Sequence, residues 1–362
     1  MKIRTVFTFS LFILVLLMAP LADAGKPGGG GTQPTATSYV GEALGMLPGS
    51  NQSMAFGVSS NGSVVGMSAG GGGERAFYWD PRNRTLHDLT TEGATGAAHA
   101  ISGGATEYAV GFERLPGGVS RAVVWIAPPS APVALESTGS TAIGVNDFGT
   151  VVGGVNGKAA IWTLSGGRYV RTEIPSLAGS GESYATDINN DGIVIGYGYA
   201  DQTYAIRSFL RLQNGQLVAI PPRSGDPEST AQAVSDVVAG SGGTQVVYVT
   251  GSSGTISSGT RDSRAVRWTI NVATGAITET LTLNQTWAEG INNAGDVAGT
   301  LNSRSTQAAS LFRNGVYIAL KPPKGGVSSV SRNMPRLAGA VTYVAGQTTV
   351  NNWPMAVRWV VK

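Results

Sequence analysis

The sequence contains no cysteine, and this absence excludes several classes of protein at once. Disulfide-stabilised scaffolds, thiolate metal sites and thiol redox catalysts all require that residue. Histidine is almost as scarce, since His87 and His99 are the only two. A serine–histidine nucleophile would have to use His99, and no nucleophile-elbow motif accompanies it. We therefore expect no metal and no cofactor, and we favour a binding protein over an enzyme.

Charge and long apolar runs are also sparse. Charged residues make up 13% of the chain, and 25 basic against 22 acidic side chains leave a net charge of +3. This near balance gives no strong attraction to nucleic acid or to an anionic membrane surface. The longest apolar run, residues 6–18, is shorter than the roughly 20 residues that a membrane-spanning helix needs. We expect a monomer with no membrane span and no nucleic-acid partner.

The N-terminal apolar run has the features of an export signal. Lys2 and Arg4 precede it, and Ala22-Asp23-Ala24 after it forms a small-residue cleavage site. Residues 1–24 are therefore predicted to be a signal peptide, which would place the protein in the periplasm or outside the cell. The alternative is a retained membrane anchor. Residues 25–37 are rich in glycine, proline and threonine and are predicted to be a flexible linker, so the folded part is residues 38–362.

Glycine is abundant, with 52 residues, and much of it belongs to a phrase that is repeated seven times. The phrase is Ala-x-x-(Ile/Val)-(Asn/Ser), a turn, a β-branched pair ending in Gly, a spacer and Ala-x-x-Trp. The hydrophobic residues at its fourth position are Val58, Ile101, Val145, Ile188, Val234, Ile291 and Val330. Short β-type runs that recur about every 44 residues are typical of four-stranded propeller blades.

The third copy shows how one blade is built. Residues 142–146, 150–153, 159–163 and 169–174 are predicted to be its four strands, separated by turns rich in Gly and Asn. The third strand ends in a large ring, which we expect to fill the space between neighbouring blades. These rings are Trp79, Trp125, Trp162, Trp268, Phe312 and Trp359. The fourth copy has Arg211 instead, so either its register slips and Phe209 packs there, or its outer edge is looser.

The two ends of the chain complement each other. The last copy stops at Lys362 after its third strand, whereas residues 39–47 precede the first copy and resemble a fourth strand. Pairing these segments would remove an open sheet edge. The sequence therefore predicts an all-β, seven-bladed β-propeller of four-stranded blades, closed by an N-terminal strand in the C-terminal blade.

Two segments, residues 75–79 (Arg-Ala-Phe-Tyr-Trp) and residues 288–295, carry a resemblance to a known repeat. They resemble the bacterial extracellular HAF repeat, which is named for a His-Ala-Phe triplet before the Trp. Arg or Lys usually stands here in place of the His. The resemblance implies an exported β-propeller, and it implies no particular activity.

Two tryptophans lie outside the repeated ring position. In propellers, the face that carries the loops between blades and between second and third strands commonly holds ligand sites. Trp287 and Trp353 map to this face in neighbouring blades, and we predict that they form an aromatic platform for a sugar ring. The alternative is that each indole anchors its loop against its own blade.

The residue after the leading Ala varies from copy to copy, as the rim of a pocket would. It is Phe56, His99, Ile143, Thr186, Gln232, Glu289 and, in the last copy, Ser328. We predict that His99 and Glu289 contact the ligand, although tolerance of any residue by solvent would also explain the variation. The predicted function is a secreted, non-enzymatic binding protein for extracellular or cell-surface glycan or another extracellular macromolecule. The rivals are a polysaccharide lyase or glycoside hydrolase that uses Glu289 with Asp187, and a purely structural matrix protein.

Two further patterns have simple structural explanations. Basic residues precede the third strand in five copies, where they would attract acidic polysaccharide or pair with nearby carboxylates. They are Arg75, Arg121, Lys158, Arg207 and Arg264. The run from Asp187 to Gly192 imitates the start of a calcium-binding loop, but its twelfth position is Gly198 instead of Glu. We therefore interpret it as a hairpin turn.

Overall fold

The computed structural model describes residues 38–177, 181–199, 205–256, 262–302, 307–337, 339 and 341–362. The predicted signal peptide and linker lie outside these residues. The described chain forms seven antiparallel four-stranded blades arranged in a ring, which confirms the predicted all-β propeller. Within these ranges, no helix has the length and apolar character needed to cross a membrane.

Each blade runs from an inner strand at the central channel to an outer strand at the rim. In blade order the strands are Ser50–Val58, Val64–Gly70, Gly73–Asp80 and Thr85–Asp88; Thr95–Ile101, Tyr108–Arg114, Ser120–Ile126 and Val133–Ala134; Ser140–Val145, Val151–Val155, Lys158–Ser165 and Arg168–Glu173; Ser183–Ile188, Val194–Tyr199, Ile206–Arg211 and Leu217–Ile220; Glu228–Val234, Gln245–Thr255, Asp262–Asn271 and Ile277–Thr282; Trp287–Ile291, Val297–Asn302, Gln307–Arg313 and Val316–Lys321; and Ser329–Asn333, Thr342–Val350, Trp353–Val361 and Glu42–Gly45. The fifth blade also carries Val238–Ala239 and a short 3-10 helix, Ser241–Gly243.

The N-terminal segment closes the ring, as predicted. Glu42–Gly45 pairs antiparallel with Trp353–Val361 and is the outer strand of the seventh blade. The three residues Ser38–Val40 run parallel to Val316–Lys321 and extend the sixth blade to five strands. Residues 38–45 therefore join the edges of two adjacent blades.

Arg358 joins the last blade to the first. Its guanidinium donates to Glu42 Oε2 at 2.8 Å and to the Gly62 carbonyl at 2.9 Å. The same group lies 4.4 Å from the ring centroid of Trp79, within the range of a cation–π interaction. Because the side chain is only 11% exposed, these contacts are weakly screened by solvent. One residue thus connects the N-terminal strand with the first and last blades.

The repeated tryptophans fill the spaces between blades, as the sequence predicts. Trp79, Trp125, Trp162, Trp268 and Trp359 are 2% exposed or less. In the fourth blade Arg211 pairs with Val194, just as Trp79 pairs with Val64, so the register does not slip. Phe209 is buried two residues earlier, opposite Gly196, where Phe77 lies opposite Gly66 in the first blade. Phe209 is therefore the counterpart of Phe77, and Arg211 occupies the position of the indole without an aromatic replacement.

A β-bulge in every inner strand explains the glycine of the repeated phrase. In each blade the pairing of inner and second strands skips one residue directly after the leading Ala or its equivalent. A Cβ on the opposing second-strand residue would overlap a carbonyl oxygen of the inner strand. The residues under this constraint are Gly66, Gly111, Gly153, Gly196, Gly251, Gly299 and Gly346.

The register predicted for the seventh copy is wrong, as the position of its bulge shows. The bulge lies between Ser331 and Asn333, so Arg332, and not Ser328, occupies the variable position. Met334, and not Val330, is then the fourth-position hydrophobe, with Pro335 after it. The misreading arose because Ser331 replaces the leading Ala, and the earlier Ser329-Val330-Ser331 imitates the end of the motif.

We predict that Gly66→Ala lowers the free energy of unfolding by about 2–3 kcal/mol, because the new methyl group displaces the inner strand at the Met54 carbonyl. Gly71→Ala is the matched control in the same blade, since a Cβ there meets nothing within 4 Å. Urea unfolding of both variants measures the difference. Equal stabilities would contradict the steric explanation.

Candidate functional site

The propeller has two faces with different loops. The upper face carries the loops that join one blade to the next and those that join second to third strands. The lower face carries the turns between first and second strands and between third and fourth strands. Each inner strand begins at the upper face and ends at the lower face, and its bulge lies between the two ends.

The turns of the lower face are structural. Asn146 Oδ1 accepts from the backbone N–H groups of Phe148 and Thr150, and Asn189 makes the equivalent bonds in the next blade. The residue after this Asn or Ser, or after Pro335 in the seventh blade, then takes part in a chain of hydrogen bonds of 2.7–2.9 Å between neighbouring blades. The donor–acceptor pairs are Ser60–Gly103, Gly103–Asp147, Asp147–Asn190, Asn190–Asp236, Asp236–Asn293 and Asn293–Arg336.

The run that imitates a calcium loop belongs to this hydrogen-bond system. Asn189 forms the turn, and Asn190 links the third, fourth and fifth blades. Asp191 accepts from the Val237 N–H at 2.7 Å. These side chains are therefore committed to the turn and to neighbouring blades.

The lower end of the channel is closed by residues 333–337 of the seventh blade, which we call the hub loop. Arg336 extends across the channel and donates to Asp187 Oδ1, to the Val234 carbonyl at 3.2 Å and to the Val145 carbonyl at 3.5 Å. The cavity beside the hub loop measures about 50 Å³. This volume holds a few waters at most, whereas pockets for small molecules are roughly 300–1,000 Å³.

The seven bulge residues surround the channel above the hub loop. They are Phe56, His99, Ile143, Thr186, Gln232, Glu289 and Arg332. Gln232 is exposed and the others are half-buried. The apolar residues Phe56 and Ile143 lie on the side of the first three blades, and the charged pair lies in the sixth and seventh.

His99 is held in a largely apolar setting. Its Nδ1 lies 2.9 Å from the Ala142 carbonyl, and an oxygen that can only accept assigns the proton to Nδ1. The ring centroid is 6.1 Å from that of Phe56 and 5.5 Å from that of Phe112. Burial lowers the pKa of His99 and outweighs the bond to Ala142, which acts in the opposite direction. The imidazole is therefore neutral near pH 7.

Glu289 is paired with Arg332. The predicted register of the seventh copy places Ser328, and not Arg332, at the variable position. Arg332 Nη1 donates to Glu289 Oε1 at 3.2 Å. Burial raises the pKa of Glu289, and the adjacent guanidinium opposes the rise. Asp187 shows the same balance with Arg336, since burial raises its pKa and the arginine opposes that effect. The two carboxylates proposed for a hydrolase are thus each bound to their own arginine.

Trp287 and Trp353 are both first residues of their strands at the upper face, but their surroundings differ. Trp353 is 46% exposed and directly follows Asn351 and Asn352, whose φ angles of 49° and 67° form a tight hairpin turn. Trp287 is half-buried and lies opposite Thr300 in the sheet. Among the described residues no ring–ring contact joins the two indoles.

The basic residues before the third strands mostly serve neighbouring groups. Arg75 pairs with Asp88 at 2.9 Å, and Arg121 pairs with the fully buried Glu113 at 3.0 Å. Arg207 donates to the Pro227 carbonyl, whereas Arg264 is exposed. These contacts favour the local-pairing interpretation over a continuous positive ring.

Comparison with known proteins supports the fold only. No protein-family model and no curated protein matches this chain. The β-propeller domain of the Trilobed protease from Pyrococcus furiosus, which has an open velcro topology, is 9% identical with a TM-score of 0.51, covering 86% of this chain and 94% of that one. The Dos1 propeller is 10% identical with a TM-score of 0.46, covering 90% and 95%. A gluconolactonase from Xanthomonas campestris is 10% identical with a TM-score of 0.43, covering 93% and 99%.

We predict that His99 makes the protein less stable as the pH falls below the ordinary histidine value of 6.5. Burial lowers the pKa of His99 in the folded state, so the unfolded chain binds the proton more readily and gains from acidification. His99→Gln, which keeps a neutral N–H donor, should reduce the loss of Tm between pH 6.5 and 5. His87→Gln is the control, and an identical slope in the wild type and His99→Gln would refute the assignment.

We predict that Arg336→Met lowers the free energy of unfolding by about 3 kcal/mol, because it leaves Asp187 buried and unpaired. Adding Asp187→Asn should restore part of the loss, since no unpaired charge then remains. Arg82→Met is the control, because the Arg82 side chain is 85% exposed and its nearest carboxylate oxygen, on Asp80, is 3.9 Å away. This substitution should change the free energy of unfolding by less than about 0.5 kcal/mol. Denaturant unfolding measures all three, and a neutral Arg336→Met would contradict this role.

Proposed function

We propose that this chain is an exported propeller of the HAF-repeat kind that binds extracellular or cell-surface glycan through its upper face, without catalysis. The observation that carries this proposal is the exposure of Trp353. The five indoles between blades are 2% exposed or less, whereas Trp353 is 46% exposed at the tip of a hairpin. Trp353 also lies in the same blade as the exposed Val327, so the upper face carries an apolar patch and not a single exposed ring, which supports a contact surface there.

The surroundings of Trp353 suit a sugar. An indole offers a flat apolar surface with a polarised edge, which matches the C–H face of a pyranose ring. Asn351 and Asn352 precede it and supply amide donors and acceptors for hydroxyl groups. Val327, 72% exposed, belongs to the same blade and is joined to its second strand by a bond from its N–H to the Thr349 carbonyl. Aromatic, amide and aliphatic groups therefore lie together on the upper face of the seventh blade.

The chemistry of the channel supports binding over hydrolysis. Glu289 and Asp187 are each engaged by an arginine, and His99 uses its Nδ1 proton for the Ala142 carbonyl. A glycoside hydrolase needs two carboxyl groups on either side of the scissile bond. The rival hydrolase has one point in its favour, since the raised pKa of Glu289 is a property of general acids. Loss of product release from a polysaccharide panel in Glu289→Gln would support that rival.

We predict that Trp287→Ala with Trp353→Ala weakens binding to glycan-array hits at least tenfold, since an aromatic contact in a binding site contributes about 1–2 kcal/mol or more. Fluorescently labelled wild type and variant are compared on one array. Trp353→Ala alone should account for most of the loss because Trp353 is the more exposed indole.

Phe148→Ala is the matched control, because Phe148 is an aromatic residue 70% exposed on the lower face. It should leave array binding unchanged. A wild-type protein that binds no glycan would refute the proposed function and favour a structural role. Equal losses in Phe148→Ala and Trp353→Ala would contradict the assignment to the upper face.

A further inference from the structure

The charge of the chain is distributed unevenly along the sequence. Eight of the 25 basic side chains lie in residues 297–362, and none of the 22 acidic side chains does. Residues 297–362 supply the second, third and fourth strands of the sixth blade and all of the seventh blade except its closing strand. This part of the ring is therefore positively charged, although the whole chain is close to balance.

Four of these eight side chains are neutralised by carboxylates from other parts of the chain. The pairs are Arg313–Asp296, Arg332–Glu289, Arg336–Asp187 and Arg358–Glu42. Of the other four, Arg304 lies outside the described residues, and Lys362 follows the last strand at the lower face. Lys321 and Lys324 are exposed, and no carboxylate among the described residues lies within ion-pair distance of either. Their charges are therefore available to a ligand.

Trp353 projects from the side of the seventh blade that is turned to the sixth. Side chains alternate along a strand, and no register shift interrupts the pairing of residues 353–361 with the second strand. Trp353 therefore points to the same side as Val357 and Trp359, which pack in a cluster with residues of the sixth blade. The exposed indole thus lies at the upper boundary between these two blades.

The connection between the two blades crosses the same side of the seventh blade and carries both lysines. It begins at Lys321, whose carbonyl accepts from Trp359 Nε1 at 2.7 Å. A turn over residues 323–326, closed by a hydrogen bond of 3.0 Å between its end residues, then places Lys324 at its tip. The last residue of this turn is a glycine, and a Cβ there would overlap Thr348 Oγ1 of the second strand. The connection is therefore packed against the blade that bears the exposed indole.

We propose that the glycan bound at the seventh blade is acidic, an inference that rests on the proposed function. Lys321 and Lys324 hold its carboxylate or sulfate groups, while the Trp353 indole packs on a sugar ring. With the exposed Val327 these residues form one surface, which we call the lysine–tryptophan patch. A lysine ammonium acts as a point charge on a flexible stem, so it attracts carboxylate and sulfate alike.

The absence of acidic residues from this part of the chain strengthens the attraction. At physiological salt a charge acts over roughly 8 Å, so a carboxylate beside the patch would cancel much of its field. The connection into the sixth blade, residues 283–286, contains no acidic residue either. A nucleic acid, with a charge on every nucleotide, is usually held by more cations than these two. The patch therefore favours a glycan over a nucleic acid.

The first test separates the lysines from the indole. Titration calorimetry measures the affinity for an acidic hit from the glycan array at several salt concentrations. Lys321→Gln with Lys324→Gln should weaken binding about tenfold and make the affinity less dependent on salt, because two screened contacts are lost. Trp353→Ala should weaken binding by the same factor at every salt concentration, since its contact with a sugar ring involves no net charge.

Lys158→Gln is the matched control for the lysine variants. Lys158 begins the third strand of the third blade, so it is also on the upper face and its substitution removes the same charge at a remote place. It should leave both the affinity and its salt dependence unchanged. Thermal unfolding of each variant should match that of the wild type, because substitutions at the surface change stability little. Equal losses of affinity in Lys158→Gln and Lys324→Gln would overturn the assignment to the lysine–tryptophan patch.

The second test changes the ligand. Reduction of the carboxyl groups of the hit to alcohols, or removal of its sulfates, should weaken binding to the wild type about tenfold and abolish the difference between the wild type and the double lysine variant. The two treatments show which anion is bound. Hits that are neutral, require Trp353 and are indifferent to both lysines would overturn this inference and leave the proposed function standing. Absence of binding to any glycan would overturn both, and equally tight binding of a DNA oligonucleotide would overturn the preference for glycan.

Discussion

The β-bulge of each inner strand is the constraint on which packing and site both depend. By skipping one residue it brings the inner-strand carbonyl against the second strand, and only glycine leaves space for that oxygen. Packing between neighbouring inner strands is also close, since a Cβ on Gly57 would lie 3.0 Å from the Ala100 backbone. The bulged residue itself is left out of the ladder and borders the channel. One local irregularity, copied seven times, therefore requires small residues in the blades and supplies the varied side chains of the channel.

The sequence was sufficient to predict the fold because each of these requirements leaves a visible residue. The second-strand glycine recurs in every blade, and the Asn or Ser of the turn and the buried Trp recur in most, since each has the same steric or hydrogen-bonding task wherever it occurs. The closing strand was also predictable, because the last copy lacks an outer strand and residues 39–47 have the right pattern. The predicted register of the seventh copy is wrong because Ser331 and Met334 replace the usual Ala and the usual Ile or Val around the bulge.

The site was less predictable, because its contacts join residues that are far apart in the sequence. Arg336 lies in a connection that carries no repeated motif, and its partner Asp187 is 149 residues away. The predicted register of the seventh copy places Ser328 at the bulge, so it does not identify Arg332 as the partner of Glu289. The positions of Trp287 and Trp353 on the upper face followed from the repeat. Their unequal exposure did not, since it depends on how the Asn351-Asn352 turn projects from the blade.

The N-terminal closing strand has a consequence for how the molecule is made. A ribosome synthesises a polypeptide from its N-terminus, so Glu42 emerges 316 residues ahead of Arg358, its partner. During that interval Glu42–Gly45 has no partner strand, and the seventh blade is complete only when Trp353–Val361 has been synthesised. The ring is therefore closed by Trp353–Val361, the last of its described strands in chain order. A chain interrupted before that strand would retain unpaired edges at both ends, the state in which strands associate with those of other molecules.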